Sequence, residues 1–342
     1  MEKLSNRASL VLKCLIDIYT KDGKAVGSKA ICETITEKVS PATVRAVMAD
    51  LETKGFLISP HTSAGRVPTE DGLRYYAKDL ITLDLDEEIK AKLEDSVRDI
   101  KDIEIAIKQL SDVIAELTSY TGIILSPKKE NEILQAINFM PLDGERVLAI
   151  LVAKSGYVEN RIIEIPSAIP AEELEKAARE LNNIVFGKTL EQAREIVISS
   201  LREHKNTLDV AMERILEEEF SDSKSLIVSG QHNLITYPEI VRERLKDLFD
   251  VFEEKKLIIG LLNVVKQAEG VQIFIGKDCP LEAAKECSMI TASYGSKNSD
   301  SLGTIGVIGP MRMNYQQTVS IIDYTAKLLS EILDRKQGGS SE

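Results

Sequence analysis

The chain has 342 residues, more than one typical hydrophobic core holds, so two or three domains are expected. With 43% hydrophobic and 29% charged residues and no apolar run near the roughly 18 residues of a membrane span, it is expected to be globular and cytoplasmic, with no membrane partner. A formal charge of −12 excludes indiscriminate polyanion binding, yet residues 1–82 carry 12 Lys/Arg against 10 Asp/Glu while the remainder carries 31 against 45, which leaves room for a local docking surface near the N-terminus.

Ser5-Asn6 precedes a run that places Leu10, Val11, Leu15, Ile18 and Tyr19 on one helical face, and Gly23 stops it. Ser28 reads as the N-cap of a second helix reaching about Thr36. Ser40-Pro41 offers the N-cap and first-turn proline of a third helix, closed by Gly55, with Val44, Val47, Met48 and Leu51 as its apolar stripe. Ser40, Thr43, Arg45, Ala46 and Ala49 are left on or near the outer face. Phe56 to Ser59 reads as a strand, Pro60 to Arg66 as a turn-rich tip and Val67-Pro68 as the return, with Thr69 capping a helix from Glu70 to Leu80. Two short helices, a third with small and basic outer residues, a hairpin and a helix make the layout of a winged helix-turn-helix over residues 1–82. An inert bundle carrying a hairpin has the same periodicity, so pattern alone leaves both open.

Residues 83–121 read as one connecting helix, with Leu93, Val97, Ile100, Ile103, Ile107, Leu110, Ile114 and Leu117 at three- and four-residue steps. That spacing suits a coiled-coil seam or an amphipathic helix lying on its own domain. Strand-like Ile/Val runs follow at 123–126, 133–142, 146–153 and 157–166, and recur at 271–276, 288–294 and 304–308 before a helix from Tyr315 to Asp334. An acidic, mostly helical stretch separates the two sets. The expected class is therefore α+β multidomain: a winged helix, then one mixed α/β domain over 122–166 and 224–336, interrupted by a helical insertion at 167–223. Residues 337–342 read as a flexible tail.

Phe186-Gly187-Lys188-Thr189 ends like a phosphate-binding loop, but Asn182 stands where the leading glycine belongs, so Gly187 is better read as a helix end and Thr189 as the next cap. The glycines at 303, 306 and 309 suggest tight strand packing. Arg312 reads as half of a structural salt bridge, with anion binding as the alternative. Cys14, Cys32, Cys279 and Cys287 form no Cys-x-x-Cys pair and read as reduced thiols, and three distant histidines make no zinc site. With no serine, cysteine or histidine arrangement for nucleophilic catalysis, no catalytic residue, metal or cofactor is assigned and no enzyme is expected.

The run Ser40-Pro41-Ala42-Thr43-Val44-Arg45 through Met48-Ala49-Asp50-Leu51-Glu52, then Gly55, then Pro60-His61-Thr62-Ser63-Ala64-Gly65-Arg66-Val67-Pro68-Thr69, resembles the heat-inducible transcription repressor HrcA family. The likeness resumes at Ile275-Gly276-Lys277, Thr291-Ala292-Ser293-Tyr294 and from Gly306 to Tyr315, so it covers nearly the whole chain, loosely in the middle. It implies a homodimeric repressor on an inverted-repeat operator of double-stranded DNA, the CIRCE element, ahead of chaperone operons. It also implies a GAF-like body with an inserted dimerising domain, and a GroEL-type chaperonin as partner. Under this resemblance Ser40, Thr43 and Arg45 are expected to read bases or adjacent phosphates, and His61, Thr62, Ser63 and Arg66 to set the wing against the backbone or minor groove. Gly65 is expected to turn with positive φ or to approach DNA closely, and Arg66, if it misses phosphate, to pair with Glu70 or Asp71. Ala46 departs from the family pattern, where asparagine is expected: an amide can bond an adenine edge, whereas alanine offers only a methyl group. The rival class is a small-molecule sensor or nucleotide-dependent protein built on the body.

Overall fold

The computed structural model describes residues 4–35, 39–60, 65–100, 102–126, 133–143, 146–154, 158–164, 169–189, 192, 226–265, 270–295 and 302–338. These fall into two compact units, residues 1–126 with 226–342, and residues 127–225.

The first unit opens with the expected head. Helix α1 (Asn6–Asp22) is capped by Ser5, whose hydroxyl accepts from the Ala8 amide, and ends at Gly23 with φ 68°. Helix α2 (Ser28–Thr34) starts one residue earlier than expected, with Gly27 in the cap position and Ser28 already helical. In α3 (Pro41–Thr53) the Ser40 hydroxyl accepts from the Thr43 amide and proline fills the first turn. Strands β1 (Leu57–Ile58) and β2 (Val67–Pro68) pair antiparallel, Leu57 opposite Pro68. Thr69 then caps α4 (Glu70–Tyr75), which runs on as a π-helical turn at Tyr76–Leu80. Val11, Leu12, Leu15, Ile16, Ile31, Val44, Met48 and Leu51 are buried together, as their spacing requires.

The expected single connecting helix is two, α5 (Glu87–Asp95) and α6 (Ile103–Thr118). Asp102 is extended and its carboxylate accepts from the Glu104 amide, a fresh N-cap that breaks the run. Both helices pack on the long C-terminal α10 (Tyr315–Gly338). Leu93, Ile107, Leu110 and Ile114 are thus buried inside this unit rather than offered as a coiled-coil seam. Residues 337 and 338 of the expected tail belong to α10, and the rest of that tail lies outside the described residues.

A five-stranded sheet forms the body: β3 (Thr121–Leu125), β7 (Leu226–Ser229), β8 (Val271–Ile275), β9 (Cys287–Gly295) and β10 (Leu302–Pro310), in the order β7-β3-β10-β9-β8. Every pairing in it is antiparallel, so the sheet is not mixed in direction. Alternation puts Ile124, Ile290, Ile305 and Val307 into the core shared with α6 and α10. Ile123, Leu125, Met289 and Ile308 point into a second core with Leu248 and Phe252 of α8 (Arg242–Glu254) and Ile258 and Leu262 of α9 (Lys256–Val265). The glycines of β10 do serve close packing: a Cβ at Gly306 would meet the Ile290 carbonyl at 2.6 Å.

The second unit departs from expectation. Strands β4 (Leu134–Asp143), β5 (Arg146–Ala153) and β6 (Val158–Glu164), assigned above to the body, make their own antiparallel sheet in the order β4-β5-β6. Helix α7 (Ala171–Val185) covers one face, burying Leu174, Leu181 and Val185 on Ile137, Val147, Leu151 and Ile163. The Asn182 amide clamps that contact, accepting from the Ile137 amide at 2.6 Å and donating to its carbonyl at 2.9 Å. Strands consecutive in the chain pair with one another, so residues 127–166, expected in the body, fall in the second unit, which contains a sheet as well as a helix. Residues 193–223 of the expected helical insertion lie outside the described residues.

Candidate nucleic-acid interface

Helix α3 buries Val44, Met48 and Leu51 and exposes Arg45, Ala46 and Ala49 on the opposite side. Its N-terminal turn is organised by Ser40, whose Oγ lies 2.9 Å from Thr43 Oγ1 and 3.1 Å from the Thr43 amide. Ser40, Thr43 and Arg45 are therefore brought to one end of one helix. The Arg45 Nε donates to the Pro41 carbonyl at 3.3 Å, which lays the guanidinium back along the first turn. An exposed helix N-terminus with small side chains and one fork-shaped cation fits the major groove sterically and electrostatically.

Arg66 does not pair with Glu70 or Asp71. Its Nε donates to Glu52 Oε2 at 2.9 Å and its Nη1 to Ser59 Oγ at 3.3 Å, so it fastens the wing hairpin to α3. Nor does Gly65 take positive φ. The backbones of Val26 and Arg66 exchange two hydrogen bonds, at 2.8 and 2.9 Å, and a Cβ on Gly65 would sit 2.2 Å from the Val26 carbonyl oxygen. Glycine is required here because the wing lies against the strand-like segment before α2. His61, Thr62 and Ser63 lie outside the described residues. Thr69 ties the wing's far side, donating to the Gly55 carbonyl at 2.6 Å and accepting from the Gly72 amide at 3.1 Å.

The head is fastened to the body at several points that sequence reading missed. Arg74 of α4 pairs with Asp71 and with Asp278, in the turn after β8. The Tyr76 ring meets the Tyr315 ring edge-on, centroids 6.4 Å apart, and its hydroxyl donates to Asp17. Burial first, then that Asp17 carboxylate, pushes the Tyr76 phenol well above its ordinary range. Arg312, expected to make a structural salt bridge, does so with Glu239. The loop-like Phe186-Gly187-Lys188-Thr189 is a helix end, where Gly187 has φ 74° and Thr189 and Gln192 exchange capping bonds. Among the described residues, no group of three His, Cys, Asp or Glu could hold a metal, and no helix is long and apolar enough to cross a membrane.

Residues 3–78 match the family described as winged helix-turn-helix transcription repressor, HrcA DNA-binding, and residues 104–319 match the HrcA protein C-terminal domain. Curated proteins named heat-inducible transcription repressor HrcA are similar along nearly their full length. The one from Geobacter sulfurreducens is 39% identical over 98% of this chain and 99% of its own. The one from Methylobacillus flagellatus is 34% identical over 96% and 98%. A crystal structure described as a hypothetical protein at 2.2 Å resolution has the same fold, with a TM-score of 0.62 and 22% identity over 98% of this chain and 100% of that one.

Proposed function

The chain belongs to the HrcA family of heat-inducible transcription repressors, and from that premise we propose that it represses chaperone operons as a cytoplasmic homodimer bound to an inverted-repeat operator. One observation carries the DNA contact: α3 buries its apolar stripe and presents Ser40, Thr43 and Arg45 at its exposed N-terminal end, beside a wing that Arg66 and Glu52 hold to it. Arg45 reads a guanine edge, so Arg45→Ala costs about 1–3 kcal/mol and relaxes one position per half-site. Ser40 and Thr43 face phosphate or base, and His61, Thr62 and Ser63 carry the wing tip to the backbone. The five-stranded body, covered on both faces, is read as GAF-like.

Support for the dimer comes from the second unit. The face of its sheet away from α7 aligns Met140, Leu148 and Ile162 in one cross-strand row and Ala136, Val152 and Val158 in another, with Asn138, Ile150 and Asn160 in the row between them; Met140 and Ile162 are more than half exposed. Antiparallel sheets with one solvated face place mostly polar residues there, so two apolar rows flanking the Asn138 and Asn160 amides suit a second copy. A GroEL-type chaperonin as partner rests on the family resemblance.

Selecting bound fragments from random DNA and sequencing them tests the proposal. An enriched inverted repeat is expected; a single unrepeated motif overturns the dimer, and no enrichment overturns sequence-specific binding. Affinity should also fall steeply as salt rises, because phosphate contacts release counterions.

A further inference from the structure

Arg312 sits in the turn between β10 and α10, yet its side chain reaches the head. Its Nε donates to Glu239 Oε1 at 2.7 Å, its Nη2 lies 2.5 Å from the same oxygen, and its Nη1 donates to the Thr20 carbonyl at 3.1 Å. The guanidinium also lies over Gly23, where a Cβ would come within 3.2 Å of Cζ. A side chain of the body thus caps the C-terminus of α1, the helix end where unpaired carbonyls and the dipole favour a cation. Nearby along the same head, the Lys277 amide donates to Glu70 at 3.4 Å and Gln316 donates to the Thr82 carbonyl.

We propose, building on the dimeric repressor described above, that Arg312 is a positioning residue for DNA recognition. It sets the angle of each head on its body, and through that angle the spacing between half-sites that the dimer accepts. The apolar part of the seam, Tyr76 against Tyr315, is non-directional and tolerates sliding. A guanidinium directed at a carboxylate on one side and a helix-end carbonyl on the other does not, because charge-assisted bonds weaken sharply with angle. The partners of Arg312 are in α1, in Gly23 and in Glu239, so its loss leaves the base-reading end of α3 intact. A two-headed reader with loosened heads still binds each half-site but no longer prefers one separation.

The test uses the full-length protein, a single half-site duplex, and a series of inverted repeats whose half-site spacing changes by one base pair at a time. The wild type should show a sharp spacing optimum. Arg312→Gln and Glu239→Gln should keep half-site affinity, lose roughly tenfold on the best-spaced operator, and flatten the optimum. Arg312→Lys, which keeps the charge without the fork, should fall between. Arg45→Ala should lower affinity at every spacing with the optimum in place. A wild-type spacing profile in both glutamine variants overturns the proposal, as does a loss of half-site binding together with a large drop in unfolding midpoint, which would make Arg312 a residue of general stability. A wild type that recognises no inverted repeat would instead remove the dimeric repressor reading itself.

Discussion

Arg66 Nε lies 2.9 Å from Glu52 Oε2, joining the base of the wing to the C-terminal half of α3 across fourteen residues of sequence. Both side chains are about one-quarter to one-third exposed, so the pair should contribute about 0.5–1 kcal/mol rather than the larger value of a buried pair. A double-mutant cycle of Arg66→Ala and Glu52→Gln, followed by denaturant unfolding, should return a coupling of that size. Arg66→Ala should also weaken binding to all DNA sequences alike and flatten the log-log salt slope by about 1. A lower midpoint with the slope unchanged would confine Arg66 to holding the wing.

Gly65→Ala is expected to damage the wing by collision, not by backbone strain. The new Cβ would meet the Val26 carbonyl oxygen at 2.2 Å, so the Val26–Arg66 bridge must open. A cost of about 1–3 kcal/mol follows, as for other overpacked sites. Operator affinity should drop with it, because the same shift drags Arg66 away from Glu52. An unfolding midpoint equal to the wild type's would sink this account.

The head was legible because its signals are local. Ser5, Ser40-Pro41 and Thr69 each stand within one helical turn of the amides they cap or start, and Gly23 and Gly55 take the left-handed conformations their positions suggest. The break between α5 and α6 was hidden because Val97 and Ile100 continue the three-and-four rhythm straight through it. Their apolar partner, α10, lies at the other end of the chain. The strands of the two sheets share an Ile/Val composition, which records burial and says nothing of which strand pairs with which. Arg312 announced a salt bridge, but its Thr20 acceptor is 292 residues away and no spacing rule reaches that far.

The thiols give an independent check on the fold. Cys14, Cys279 and Cys287 are buried while Cys32 is half-exposed. Burial, aided for Cys287 by neighbouring Cys279 and Glu286, raises all three buried thiols, Cys287 to about 12 from an ordinary 9.0. In the folded protein at neutral pH an alkylating reagent should therefore label Cys32 first and the others only after unfolding. Above pH 9.0 the unfolded chain surrenders thiol protons that the folded chain still holds, so the native state binds more protons and stability falls as pH rises through that range. Denaturant midpoints at several pH values from 8 upward measure the effect, and mass spectrometry after alkylation reads the labelling. Equal labelling of all four thiols in the native protein would contradict the burial.

The second unit enters the chain at a place that makes its removal feasible. It departs after β3 and returns at β7, and these strands are antiparallel neighbours with Leu125 opposite Leu226 and Ile124 opposite Ile227. The two ends of the insertion are thus the two ends of a hairpin that lacks its own turn. Replacing residues 126–225 with Asn-Gly should close that hairpin on the Leu125–Leu226 pair, since a two-residue turn of this type matches the twist of paired strands. The shortened chain keeps both cores of the body and the head, so it should unfold cooperatively at a midpoint near that of the parent. It loses the apolar row of Met140, Leu148 and Ile162 on the outer sheet face, and should sediment as a monomer. A monomer carries one head, so affinity for an inverted repeat should fall to that for a single half-site, a loss of roughly 100-fold or more when the parent gains from two linked contacts. Sedimentation and titration against the two duplexes separate the possibilities. A shortened chain that still dimerises and still prefers the full repeat would place the dimer contact in the first unit and remove the role proposed for the outer sheet face.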